Sequence, residues 1–186
     1  MRVTERVHES LKNFVNPGDV VIDATAGNGH DTLFLAQLVG PTGHVFAFDI
    51  QQDALDATAK LLGEHRIAHF TAFRRDHAEL ADAIPAKHRG KIAAVVFNLG
   101  YLPGGNRNIT TAPGSTFSAL HAARSVLMVE GIICATIYRG HLDGPLEAEA
   151  VLEVVIAWSR QGDAVFIGPA HDLSVPQLVT AVKMRA

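Results

Sequence analysis

Two stretches of this chain hold residue types at spacings that could do chemistry. The first is Val20 to Asp31, VVIDATAGNGHD, where an apolar run ends on Asp23 and a small-residue turn closes with Gly27-Asn28-Gly29. Apolar residues at helical spacing follow directly, so the order predicts a strand, a tight glycine turn and a helix N-terminus. Glycine has no Cβ and tolerates positive φ, so a ligand can approach such a turn closely. That geometry suits a nucleotide-type cofactor. The second stretch is Asn98 to Gly105, NLGYLPGG, which leaves the end of the apolar run Lys91 to Phe97. It sets an amide and an aromatic three residues apart among glycines and a proline. Open parallel sheets bind ligands beyond the carboxyl ends of their strands, near the point where strand order reverses. Both stretches are therefore expected to face one crevice, although each could also be a plain loop.

The glycine pattern narrows the cofactor. A dinucleotide turn reads G-x-G-x-x-G and seats a pyrophosphate on the helix N-terminus, whereas here Thr32 stands three positions after Gly29. An acid followed by x-x-x-G-x-G resembles the first motif of class I S-adenosylmethionine methyltransferases, whose cofactor has an amino-acid tail and no pyrophosphate. The Asp31 carboxylate in the first helical turn agrees, because an anion there competes with a bound phosphate. Asp49 closes the next strand about 20 residues beyond Gly29, the spacing at which an acid reaches ribose hydroxyls. Asp76, just past the third strand, stands where many methyltransferases place an acid or amide against the adenine amino group. Capping the following short helix is its other reading. Asn98-x-x-Tyr101 has the spacing of the Asn-Pro-Pro-Tyr motif of amino-group methyltransferases. In that motif the amide oxygen and a neighbouring carbonyl accept from the target nitrogen while the ring stacks on the base.

The elements that must position these residues follow from periodicity and punctuation. Val7, Leu11, Phe14 and Val15 predict a helix over Val3 to Phe14, stopped by Pro17-Gly18. Then come a strand over Asp19 to Asp23, a helix over His30 to Val39, a strand from His44 into Asp49, and a helix over Gln52 to Leu62 that Asp53 could cap. A third strand is expected over Ala68 to Phe73, a short helix over Ala78 to Ile84, and a fourth strand over Lys91 to Phe97, apolar on both faces as a central parallel strand should be. A helix capped by Ser115 or Thr116 runs to about Met128 with Gly131 after its end, and a fifth strand covers Ile132 to Tyr138. The helix over Pro145 to Arg160 is expected to turn Leu146, Ala150, Leu152, Val155 and Ile156 inward. Ala164 to Gly168 and Leu178 to Met184 then read as two strands with no helix between them. A dehydrogenase usually continues strand-helix-strand, whereas the methyltransferase fold ends on an antiparallel hairpin. The expected architecture is α/β and Rossmann-like, a seven-stranded, mostly parallel sheet with an antiparallel C-terminal hairpin and helices on both faces.

With 186 residues, 48% of them hydrophobic and 19% charged, the chain suits a single domain with a sizeable core. Its apolar runs are strand-length, far short of a membrane span. The N-terminus mixes Arg2, Glu5 and Arg6 with apolar residues and does not read as a secretory leader, so the cytoplasm is the expected compartment. Cys134 is the single cysteine and reads as a buried small hydrophobe; no Cys or His grouping has zinc spacing, so no structural metal is expected. A net charge of −3 argues against coating nucleic acid by bulk electrostatics and leaves docking through local patches open. Arg74-Arg75, Lys87-His88-Arg89 with Lys91, and Arg107 are the candidate patches, each also readable as a solvated loop. Displayed together by a homodimer, they would offer an RNA more basic surface than one chain has.

Beyond single motifs, Asp23 to Thr32, Phe46 to Gln51, Phe97 to Gly105, Ile109 to Thr111 and Tyr138 to His141 together resemble a small bacterial family long labelled rRNA methylases. Its members are now understood as tRNA 5-(aminomethyl)-2-thiouridine methyltransferases. The resemblance covers nearly the whole chain. It implies methylation of the exocyclic amine of the wobble uridine in the tRNA anticodon loop, with S-adenosylmethionine as donor. It assigns Gly27, Asn28, Gly29, Asp31, Asp49, Gln51, Asp76, His77 and Asn98 to the cofactor, and Tyr101, Gly104, Gly105, Arg107, Thr110 and Thr111 to the substrate. Asn98 and Tyr101 rank first as the catalytic clamp. Tyr101, His77 and His141 are candidates to take the amine's proton, since an imidazole titrates near working pH. The chain departs from the family pattern at Asn106-Arg107, where Asp-Lys is expected, and at the single Pro176, where a proline pair is.

Overall fold

The computed structural model describes residues 2–101, 104, 110–170 and 175–185. Its strands are β1 (Val20–Asp23), β2 (His44–Asp49), β3 (Phe70–Arg74), β4 (Ile92–Leu99), β5 (Leu127–Ile137), β6 (Ala164–Ile167) and β7 (Gln177–Val182). Its helices are α1 (Val3–Lys12), α2 (His30–Val39), α3 (Gln52–Glu64), α4 (Leu80–Ala83), α5 (Pro113–Val126) and α6 (Gly144–Arg160), with short 3-10 turns at His77–Glu79 and Ala86–His88. The strands form one sheet in the order β3-β2-β1-β4-β5-β7-β6. Pairing is parallel from β3 through β5, and β7 runs antiparallel to both β5 and β6. Chain order reverses between β1 and β4, so the ends of those two strands flank the switch point.

Apolar side chains alternate across the sheet into two cores. Ile22, Phe48, Val95 and Phe97 pack with Leu120, Val151 and Trp158 of α5 and α6 on one face. On the other, Val21, Val45, Val96 and Cys134 pack with Val7 and Leu11 of α1 and Leu35 and Val39 of α2. Cys134 is fully buried, and that burial pushes its thiol up to about 12. Among the described residues no helix is long and apolar enough to cross a membrane.

Several expected boundaries move, each for a local reason. The first helix stops at Lys12 with Asn13 as its C-cap, and the third strand starts at Phe70 rather than Ala68. The helix expected over Ala78 to Ile84 is a 3-10 turn followed by the short α4. The backbone ladder carries β4 past Phe97, with Asn98 opposite Thr136 and Leu99 opposite Ile137. Asn98 is thus fixed by a strand rather than carried by a loop. Neither Ser115 nor Thr116 caps α5, which begins with Pro113 behind Ala112. The fifth strand starts at Leu127, so Met128 and Gly131 belong to it, and Glu130 takes a φ of 65° beside the register shift against β4. Asp53 does not cap α3, whose N-cap is Gln51. In α6 the buried stripe is Glu147, Ala148, Val151, Val154, Val155 and Trp158, whereas Leu146 and Ile156 are exposed.

Candidate active site

The glycine turn is shaped by three backbone constraints. Gly27 and Gly29 sit at φ of 54° and 83°, a region that side chains rarely enter. A Cβ on Gly29 would lie 2.8 Å from the Thr58 Cα of α3, so that glycine lets the turn pack against α3 and does not line the cavity. The Asp49 carboxylate then ties β2 to the turn, accepting from the Gly27 N–H at 3.0 Å and the Gln51 N–H at 2.9 Å. Each of its oxygens keeps capacity for another donor.

Beneath the turn, Asp23 is wholly buried. Its carboxylate accepts from the Thr32 hydroxyl at 2.6 Å and the Thr25 N–H at 3.1 Å. Burial, with Asp31 close by, pushes it up to about 7. It is an internal brace for the strand-turn-helix unit and not a ligand.

Asp31 behaves differently. One of its oxygens accepts from His8 of α1 and the other from the Asn98 side-chain Nδ2, both at 2.7 Å. Burial alone would raise Asp31, but the two hydrogen bonds together with the charges of His8 and His30 outweigh it and hold the carboxyl below its ordinary range. An ionised carboxylate only accepts, so the nitrogen of the Asn98 amide must be the atom facing it. The Asn98 backbone N–H donates to Thr25 Oγ1 at 2.7 Å. Amide and strand end are therefore held at both levels, with Oδ1 as the acceptor for an incoming donor.

These groups line one cavity of about 480 Å³ that reaches from the glycine turn to the strand ends. Of the sequence-expected site residues, Gly27, Asn28, Asp31, Asp49, Gln51, Asp76, His77, Asn98, Tyr101, Gly104, Thr110 and Thr111 all border it. Gly105 and Arg107 lie outside the described residues, as does Asn106. Asp76 caps the 3-10 turn, its Oδ1 accepting from the Ala78 N–H at 2.8 Å, and it also borders the cavity. His77 is buried edge-on against Phe97, and that burial lowers its pKa. Tyr101 is 39% exposed at the mouth and bridges Thr110, while the Thr111 N–H donates to Gly100 O at 2.9 Å. A Cβ on Gly100 would lie 3.2 Å from the Tyr138 Cβ, so the glycine permits that close approach.

His141 stands off the cavity wall. Its side chain is buried, 3.5 Å from the Glu147 carboxylate. Glu147 accepts from the Thr111 and Thr116 hydroxyls and so anchors the segment that forms the cavity's far side. Sequence reasoning missed Glu147, although its spacing with Val151, Val154 and Trp158 was a usable sign. It also assigned no role to Thr4, Thr25, His30 and Tyr138 on the wall; the last three lie inside the motif stretches, and no sequence pattern marks Thr4. Arg75 borders the cavity from its exposed edge, paired loosely with Glu79 at 3.4 Å.

Among the described residues the wall thus carries three carboxylates, Asp31, Asp49 and Asp76, against the guanidinium of Arg75. That balance opposes a pyrophosphate and suits a ligand bearing positive charge and hydroxyls. The family model described as "Putative rRNA methylase" matches residues 45–179. The chain belongs to that family. It is 37% identical to an rRNA-methylase of the same description from Clostridium thermocellum, with a TM-score of 0.92 and 99% and 98% of the two chains covered. It is 30% identical to a protein from Streptococcus mutans assigned as a methyltransferase and solved in complex with SAH, with a TM-score of 0.86 and 99% of each chain covered. A chloroplastic tRNA (mnm5s2U34)-methyltransferase from Arabidopsis thaliana is 40% identical over 159 residues, 81% of this chain and 57% of that protein. The chain therefore spans little more than half the length of that relative. The fold of the family is that of class I S-adenosylmethionine-dependent methyltransferases, antiparallel C-terminal strands included.

Proposed function

We propose that this protein is an S-adenosylmethionine-dependent N-methyltransferase that acts on the aminomethyl group of 5-aminomethyl-2-thiouridine at the tRNA wobble position. One observation carries the reading. The Asn98 amide is oriented by Asp31 so that its oxygen accepts, at the strand end beside the glycine turn and in the cavity that Tyr101 also lines. The Arabidopsis relative supports the choice of tRNA.

The residues present fit the cofactor. Asp49 is the acceptor for ribose hydroxyls, Asp76 and His77 border the base end, and the carboxylate-lined wall suits a cation. When bound, S-adenosylmethionine supplies an electrophilic methyl on a sulfonium. The chain's own part is alignment. Asn98 Oδ1 accepts a hydrogen bond from the target amine and so directs its lone pair. Tyr101 gives a half-exposed ring on which a base can stack. Glu147, through Thr111, holds the opposite side in place.

The cofactor assignment is tested with S-adenosylhomocysteine. Mass action predicts about 2.7 kcal/mol of stabilisation at a hundredfold excess over the dissociation constant. Asp49→Ala should lose that stabilisation in thermal denaturation. An undiminished shift in the variant would move the ribose away from β2.

A further inference from the structure

The N-terminal helix is more than a cover for the core. It turns Val7 and Leu11 inward, while Thr4 and His8 lie toward the cavity, Thr4 on its wall. The His8 ring stacks on Phe34 of α2, with centroids 3.7 Å apart and planes within 1°. So fixed, its Nε2 donates to Asp31 Oδ1 at 2.7 Å, and Asp31 Oδ2 takes the Asn98 Nδ2 hydrogen at the same distance. Three segments distant in sequence thus make one hydrogen-bonded line from α1 through α2 to the end of β4.

We infer that His8 is a positioning residue for methyl transfer, acting through Asp31 to fix the orientation of the Asn98 amide. This rests on the functional reading above. The physical reason lies in the last torsions of both partners. The χ2 rotations of Asp and Asn are broad and roughly two-fold, so one hydrogen bond between them leaves the pair free to rock. A donor on the second carboxylate oxygen removes that freedom. His8 supplies this donor, and its ring cannot swing away without leaving Phe34. The Asn98 oxygen is then presented to the amine in one orientation, which is what an in-line transfer requires.

Two variants separate positioning from helix docking. His8→Phe keeps an aromatic ring on Phe34 and removes the donor. His8→Gln puts an amide donor close to where Nε2 lies. With aminomethyl-2-thiouridine tRNA as substrate, His8→Phe should lose roughly tenfold or more in kcat, with KM for tRNA, thermal stability and S-adenosylhomocysteine affinity unchanged; His8→Gln should recover most of the rate. Wild-type kcat in His8→Phe, or equal loss in both variants accompanied by lower thermal stability, overturns the assignment. A second readout needs no substrate. The Asn98 side-chain NH2 signals in a 15N NMR spectrum, identified by their loss in Asn98→Ala, should shift in His8→Phe and stay near their wild-type positions in His8→Gln. Unmoved signals in His8→Phe overturn the positioning role whatever the enzyme methylates. Shifted signals beside a wild-type protein that leaves this tRNA untouched would uphold positioning and reject the substrate.

Discussion

In the proposed mechanism Asn98 acts through one atom. Its nitrogen is committed to Asp31 and its backbone N–H to Thr25, which leaves Oδ1 for the amine. Asn98→Ala should therefore fold and still bind S-adenosylmethionine, because on the proposed reading the cofactor is held mainly by the glycine turn and Asp49. Its rate of methyl transfer should fall by orders of magnitude, since orientation supplies several kcal/mol of a barrier and about 1.4 kcal/mol is a factor of ten. Single-turnover transfer of labelled methyl checks both halves. In the same assay Tyr101→Phe stays active if the ring is a stacking platform, whereas Tyr101→Ala does not. Full activity in Asn98→Ala would send the search to Thr110 and Thr111.

The elements explain why the site was partly legible in sequence. Gly27 and Gly29 mark a turn that only glycine forms cheaply, and apolar runs ending on Asp23, Asp49 and Asn98 mark strand ends, which the sheet topology brings to one crevice. What escaped were the side-chain ties between distant segments: His8 to Asp31 to Asn98, and Thr111 to Glu147 to Thr116. No periodicity records a hydrogen bond between residues 8 and 31. On α6 apolar type does not equal burial, since exposed Leu and Ile are common: Val155 is buried as expected, whereas Leu146 and Ile156 face water and Glu147 is buried. The end of β4 was set too early because backbone ladders extend without regard to side-chain polarity. Gly29 gives the test at this scale. Gly29→Ala meets both a left-handed φ and the Thr58 backbone, so α2 and α3 must move apart. A loss of roughly 2 kcal/mol or more is expected in denaturant unfolding, along with weaker cofactor affinity. Wild-type stability would show that the turn is not fixed by its packing on α3.

At the scale of the whole molecule, a carboxylate-lined cavity at the switch point is joined to an exposed aromatic mouth, with Arg75 at its edge. The chain carries a net charge of −3, so we propose that a homodimer brings its local basic patches together to hold a tRNA. The identity of the methyl acceptor is open to direct measurement. Purified protein, S-adenosylmethionine and tRNA carrying 5-aminomethyl-2-thiouridine are incubated, and the digested nucleosides are read by mass spectrometry. The expected result is conversion of that nucleoside to its methylaminomethyl form, one methyl heavier and confined to the wobble position. An unchanged aminomethyl nucleoside, with the methyl found instead on ribosomal RNA or a small amine, would contradict it.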